Sequence, residues 1–305
     1  MRDFAVSLVE RYSELCMKTT RENPRLLPAK TPFVPETEQP AQKLQTWEEM
    51  AAAQQQEVEP VAGRLAGVAA SVLMKALWLA RVSRPDIAQP VCRLARHIAR
   101  WSVEDDRRLL RLISYVHSTP DVKVVGKVVG DPHKWRLVTF CDADFLSDPS
   151  CKSTSGQITG IVSEDAEGSH FWPVSWWSRK QSAIARSTPE SELASANAAV
   201  YGALIPCSEL LNKMLGFEVV AQLAEDNSTC EQVLQRGYSP SLRHLARTHK
   251  ISLAALSESL SERHFEIYHC TSQEMKADPF TKEMAPAQWP AALSLLSMKI
   301  VKDQK

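Results

Sequence analysis

The chain has no Cys-x-x-Cys pair. Its seven cysteines (Cys16, Cys92, Cys141, Cys151, Cys207, Cys230 and Cys270) are also odd in number, which argues against both a disulfide framework and a zinc ribbon and fits a reducing compartment. His264, His269 and Cys270 match no familiar ligand spacing. Long apolar runs are missing too, since the longest, Val68 to Ala80, carries Lys75 and is too short for a bilayer. Asp3, Glu10 and Glu14 spoil a signal-peptide reading of the start. The expectation is an intracellular protein, cytoplasmic or nuclear, neither secreted nor in a membrane. Net charge is absent as well: 36 Lys plus Arg balance 36 Asp plus Glu. Any grip on a polyanion must therefore come from local patches.

With 305 residues, the chain has room for one full domain and a smaller one. Residues 1–22 show helical apolar spacing at Phe4, Leu8, Tyr12 and Leu15. Pro24, Pro28, Pro32, Pro35 and Pro40 then exclude regular structure, which predicts a linker. A second helical region begins near Trp47, runs into Val68–Val82 and stops at Arg84-Pro85. Helical spacing returns from Ile87 to Val116. Near Lys134 the texture changes. Trp135–Cys141, Gln157–Val162 and Phe171–Trp177 read as three strands rich in aromatic and β-branched residues, with tight connections that suggest an antiparallel meander. The acidic stretch Ser163 to Ser169 is assigned to a surface hairpin. A long helix opens at Ser187-Thr188-Pro189-Glu190, with Thr188 as cap and Pro189 at the first position. Its stripe of Leu193, Ala196, Val200, Leu204, Cys207, Leu211 and Met214 keeps a 3–4 spacing for over six turns and must cover a sheet or another helix. Strand is expected at Phe217–Leu223, helix at Cys230–Gln235 and Leu242–Leu260, strand at Phe265–His269 and helix from Glu274.

Acids fall at the ends of these elements. Asp142 and Asp144 end the first strand, Glu190 and Glu192 begin the long helix, Asp226 ends the fourth strand and Asp278 opens the last helix. Neighbouring strands would bring Asp142 and Asp226 together, and a helix over the sheet can lower Glu192 onto the same spot. Such a cluster repels itself unless cations fill it, and hard divalent ions such as magnesium take oxygen ligands. Two such ions suit in-line displacement at a phosphodiester, which is nuclease chemistry. Taken singly, each acid is equally at home as a solvated or dipole-complementing residue. Glu190 looks like the dipole-complementing one of its pair, and Glu192 lies nearer the apolar stripe. Asp142 and Asp144 share a face by alternation, so geometry does not choose between them.

Cys141-Asp142-Ala143-Asp144-Phe145, Lys152-Ser153-Thr154-Ser155-Gly156 and Ser175-Trp176-Trp177-Ser178-Arg179-Lys180-Gln181 together resemble the ribonuclease H domain of copia-type retrotransposon Pol polyproteins. Ser187 to Leu193 resembles that family's Glu-x-Glu helix start, Glu225-Asp226-Asn227 its Asp-Asn pair, and Ala277-Asp278-Pro279-Phe280-Thr281-Lys282 its closing Ala-Asp-x-x-Thr-Lys. The resemblance implies an α/β ribonuclease H-like fold over residues 134–285, a mixed five-stranded sheet flanked by helices. It also implies two magnesium ions, replaceable by manganese, on Asp142, Glu192, Asp226 and Asp278, and hydrolysis of the RNA strand of RNA–DNA hybrids. Leu77 to Ala88, with its Arg84-Pro85-Asp86-Ile87-Ala88 run, resembles the segment after the polymerase palm. Residues 61–130 then correspond to a mostly helical remnant of reverse transcriptase thumb or connection. Residues 1–60 form a helical, proline-rich, poorly ordered segment, and 286–305 a helical tail. The rest of a reverse transcriptase polyprotein is an implied partner.

Departures from the pattern matter as well. No Tyr-x-Asp-Asp hairpin is present, so polymerase activity is not expected. Relatives carry Arg-Thr-Lys-His where this chain has Arg247-Thr248-His249-Lys250, and its next helix lacks histidine. These changes keep open a second reading, a decayed or domesticated fragment that binds nucleic acid or a protein partner without cutting. For binding, Arg236, Arg243, Arg247 and Lys250, with His244 and His249, form a stretch free of acids that suits a phosphate backbone or simply a solvated helix face. Ser153, Thr154 and Ser155 offer hydroxyls to phosphate or ribose, or serve as turn residues. Trp172, Trp176 and Trp177 are read as packing.

Overall fold

The computed structural model describes residues 1–34, 61–147 and 150–300. The helical region expected from Trp47 up to residue 60 lies outside the described residues. The chain divides into two compact units, one of residues 1–124, 283–294 and 298–305, the other of residues 125–282 and 295–297.

The first unit is mainly helical, with α1 (Arg2–Thr20), α2 (Ala69–Val82), α3 (Ala88–Ala95) and α4 (Val103–Ser118). Val122–Val124 pairs antiparallel with Met298–Ile300. Ser102 caps α4 through a reciprocal capping box with Asp105, which satisfies two amide donors at once. The Arg84-Pro85-Asp86 run has a structural role here. Arg84 and Asp86 form a buried ion pair at 2.8 Å, the Tyr115 hydroxyl donates to Asp86 at 2.7 Å, and Arg84 also donates to the Thr119 carbonyl at 2.8 Å. Within the proline-rich stretch expected to be a linker, Phe33 is buried and packs edge-on against Trp289.

The second unit holds a five-stranded sheet: β1 (Arg136–Asp144), β2 (Thr154–Asp165), β3 (Gly168–Lys180), β4 (Val220–Glu225) and β5 (Glu266–His269). Its order is β3-β2-β1-β4-β5, with the first three strands antiparallel and β4 and β5 parallel to β1. Between β3 and β4 run α5 (Thr188–Ala199) and α6 (Ile205–Leu215); α7 (Ser228–Arg236) and α8 (Leu253–Glu262) lie between β4 and β5. The core joins Leu137, Leu223 and Ala221 of the sheet to Leu193, Ala196 and Val200 of the long helical arm and to Val233 and Leu256. This mixed sheet flanked by helices, preceded by a helical segment, is the ribonuclease H-like architecture.

Four local expectations are corrected. The long helix runs from Thr188 to Leu215 as expected but does not keep its 3–4 spacing throughout, because a π-helical turn at Val200–Leu204 joins α5 to α6. Pro206 is the physical cause: it has no N–H for the carbonyl four residues back and its ring crowds that group, which a wider turn relieves. Ser187 rather than Thr188 caps α5, accepting from the Glu190 N–H, so Thr188 takes the first helical position. The predicted helix over Leu242–Leu260 is broken near Lys250, whose φ of 59° is left-handed. In place of one helix from Glu274 onward there are a 3-10 turn, Asp278–Phe280, with Pro279 inside it, and a short α-helix, Trp289–Leu295.

Candidate metal centre

The register of the sheet explains how two acids meet. Phe140 of β1 pairs with Ala224 of parallel β4, and Asp142 and Asp226 each stand two residues further along their own strands. Neighbouring parallel strands thus deliver both carboxylates to the same sheet end. Glu192 arrives from above on α5, whose inward stripe continues through Ser195, Ala196 and Ala199. One turn after Glu192, the Ser195 hydroxyl donates to the Asp142 carbonyl at 2.7 Å, which pins the helix to the strand. As a result Asp142, Glu192 and Asp226 each place a carboxylate oxygen within 4.8 Å of the others. Asp144, at the end of the same strand, is only half-buried and is not in that group.

Asp278, expected in the same group, is not among those three and is tied to them through Lys282. It opens the Asp278–Phe280 turn, which lies on Gly156, the register partner of Asp142. A Cβ at Gly156 would stand 2.6 Å from Thr281 Cγ2 and 2.7 Å from Phe280 Cβ, so only glycine lets the turn come this close. Thr281 donates its hydroxyl to Asp142 Oδ2. Lys282 Nζ lies 2.8 Å from Asp278 Oδ1 and 3.3 Å from Asp142 Oδ1, linking the fourth acid to the first.

Crowding and burial raise the acids' proton affinity. Burial raises the Asp142 pKa above its ordinary value, although Lys282 and Thr281 oppose the shift. Burial, then repulsion from Asp142, holds Glu192 well above the carboxylate range. The same two causes, in the same order, move Asp278 up to about 6. Glu225, behind the cluster and fully buried, is pushed up to about 8 by burial, partly offset by the Asn227 N–H and by the Cys141 thiol. Nothing in the sequence pattern singled out Glu225, because its burial follows from the packing of β4 between β1 and β5. Lys282 was within the quoted Ala277–Lys282 motif, four residues after Asp278 on one face of the turn, but drew no role there.

Would a cation fit? Glu192 Oε2 is buried with no hydrogen-bond partner. A buried carboxylate oxygen left unpaired is costly, and the Glu192 carboxylate has an oxygen within 4.8 Å of oxygens of Asp142 and Asp226. An all-oxygen anionic donor set of this kind suits a hard divalent cation. A second acidic group, Asp165 and Glu167 with His170 at the β2–β3 hairpin, already receives Lys127 Nζ at 3.1 and 3.0 Å.

The remaining expected site residues are placed as follows. Ser153, Thr154 and Ser155 are buried and turned inward: Ser153 accepts from the Leu146 N–H at 3.3 Å, Thr154 shares a proton with Ser147 at 2.8 Å, and Ser155 accepts from Gln181 at 2.9 Å. Their hydroxyls stabilise the turn before β2 instead of facing solvent. Arg243, Arg247 and Lys250 are exposed, as is Arg236, and the Arg243 guanidinium lies over the Tyr238 ring, 5.6 Å from its centroid. Glu190, expected to complement the helix dipole, is the acid of the first turn of α5 and is buried. It accepts the Arg186 N–H at 2.9 Å and faces His244 and His249 at 3.1 and 3.0 Å. His249 thus braces the start of α5 from the altered Arg247–Lys250 run.

The strand order is that of a ribonuclease H-like fold, and three of its acids meet at one sheet end. No family model matches the chain. It is 31% identical over 111 residues to the retrovirus-related Pol polyprotein from transposon RE2 of Arabidopsis thaliana and 32% identical over 111 residues to that from transposon RE1. The match takes in 36% of this chain and 7% of each relative, so the chain spans a small part of their length. Among solved structures, a ribonuclease H1 isolated from compost by a metagenomic approach overlaps 49% of this chain and 93% of its own, with 15% identity and a TM-score of 0.32. The ribonuclease H domain of prototype foamy virus overlaps 54% of this chain and 93% of its own, with 13% identity and a TM-score of 0.29. Among the described residues, no helix is long and apolar enough to cross a membrane.

Proposed function

We propose that the second unit is a metal-dependent endonuclease that hydrolyses the RNA strand of RNA–DNA hybrids and derives from a copia-type retrotransposon Pol polyprotein. Asp142, Glu192, Asp226 and Asp278 are its metal ligands, for magnesium or, as a substitute, manganese. The observation that carries this reading is the convergence of Asp142, Glu192 and Asp226, each with a carboxylate oxygen within 4.8 Å of the others. When bound, a pair of such ions activates water and stabilises the leaving 3′ oxygen.

The chain's own residues supply position and charge. Ser195 and Thr281 hold Asp142 in place through its carbonyl and its Oδ2, so the acids are set before substrate arrives. Arg243, Arg247 and Lys250 grip the hybrid's phosphates. Ser153, Thr154 and Ser155 are left out of that contact surface because their side chains are buried. The mostly helical residues 61–130 are read as a remnant of reverse transcriptase thumb or connection, without a polymerase site. The test is cleavage by the purified chain, in magnesium, of four labelled substrates: RNA–DNA hybrid, single-stranded RNA, duplex RNA and duplex DNA. Cutting of the hybrid's RNA strand alone supports the proposal; equal cutting of single-stranded RNA, or none of any substrate, overturns it.

A further inference from the structure

Both carboxylate oxygens of Asp142 are engaged by one short segment, Oδ2 by the Thr281 hydroxyl and Oδ1 by the Lys282 ammonium, which also reaches Asp278. The exposures of these groups differ. The Lys282 side chain is 41% exposed, against 2% for Asp142 and 16% for Asp278. Asp142 sits on a central strand tied on both sides, whereas the lysine reaches in from solvent on a flexible four-carbon stem that can swing out without unpacking the core.

Two cations at the same carboxylate oxygens repel each other. We propose that Lys282 is a tethered counter-cation that competes with one divalent ion for Asp142 and Asp278 and withdraws when that ion binds; this rests on the reading of those acids as metal ligands. Three consequences follow from the geometry. The lysine keeps mutually repelling acids together when the ion is away. It weakens binding at one ion position. Once displaced, its ammonium stands at the rim of the site, where a substrate phosphate is the natural new partner.

The experiment is calorimetric titration with magnesium chloride alone, with thermal unfolding in chelator, on the full chain and on Lys282→Met, Lys282→Arg and Asp142→Asn. Lys282→Met keeps the stem and removes the charge, so it should bind magnesium more tightly, on the order of tenfold, and unfold at lower temperature in chelator. Lys282→Arg should stay near wild type in both readings, and Asp142→Asn should lose the binding heat. Equal magnesium affinity in wild type and Lys282→Met overturns the role of the lysine and leaves the metal reading standing. No binding by any of the four chains overturns the metal reading and this inference with it.

Discussion

Gly156 and Asp142 are register partners across the β1–β2 ladder, and the absence of a side chain on the first lets the Asp278–Phe280 turn reach the second. A Gly156→Ala substitution puts a Cβ against Thr281 Cγ2 and Phe280 Cβ, where something must shift. The expected cost is about 1–3 kcal/mol, as for other overpacked sites, read from urea unfolding. Magnesium affinity should fall with it, because Asp278 and Thr281 move as one segment. Unchanged stability would show that the turn yields without penalty.

Asp226→Asn separates function from stability. Asn can still accept the Ser272 hydroxyl, which now reaches Asp226 at 3.0 Å, but one negative charge leaves a crowded group. Magnesium-dependent hybrid cleavage should disappear, while the unfolding temperature in chelator stays level or rises. Parallel cleavage by wild type and variant would remove Asp226 from the site.

The raised pKa values set a sign for pH dependence. Groups that hold protons more tightly when folded stabilise the fold below their ordinary pKa, and that stability is lost as pH climbs through the folded value. For Asp278 the loss runs through about 6 and for Glu225 through about 8. In chelator the unfolding temperature should therefore fall between pH 5 and pH 8, roughly the window these groups span, and Glu225→Gln should flatten the upper part. Magnesium should restore more at the alkaline end, where the carboxylates are charged. A flat profile in chelator would contradict the shifts.

In the first unit, Asp86→Ala leaves the Arg84 guanidinium buried without its carboxylate, and Tyr115 loses its acceptor. Breaking a buried pair from one side costs about 3–5 kcal/mol, measurable by denaturant unfolding. Tyr115→Phe should cost less, about 1–3 kcal/mol, because the ion pair survives and only the hydroxyl's two hydrogen bonds, to Asp86 and from Trp289 Nε1, are lost.

The order of strands and helices was legible because alternation and helical spacing are local, and acids at element ends then pointed to one place. Asp142, Glu192 and Asp226 do meet, since parallel neighbours in register put Asp142 and Asp226 side by side. What escaped depends on contacts distant in sequence. Glu190 is buried because His244 and His249 return to it. Ser153 to Ser155 face inward because Leu146, Ser147 and Gln181 claim their hydroxyls. The π-turn in the long helix was the exception: Pro206 stood in plain view inside a stripe that otherwise argued for regular α-helical spacing.

The most direct test of the central claim is the chemistry of the cut ends. Wild-type chain, Asp142→Asn and Glu192→Gln would be incubated with hybrid carrying labelled RNA, in magnesium and in chelator, and the products analysed by mass. Water activated at these acids leaves a 5′-phosphate and a free 3′ hydroxyl, so the account predicts those ends from wild type in magnesium and no product from either variant or in chelator. Products ending in a 2′,3′-cyclic phosphate, or equal cleavage in chelator or by the variants, would contradict it.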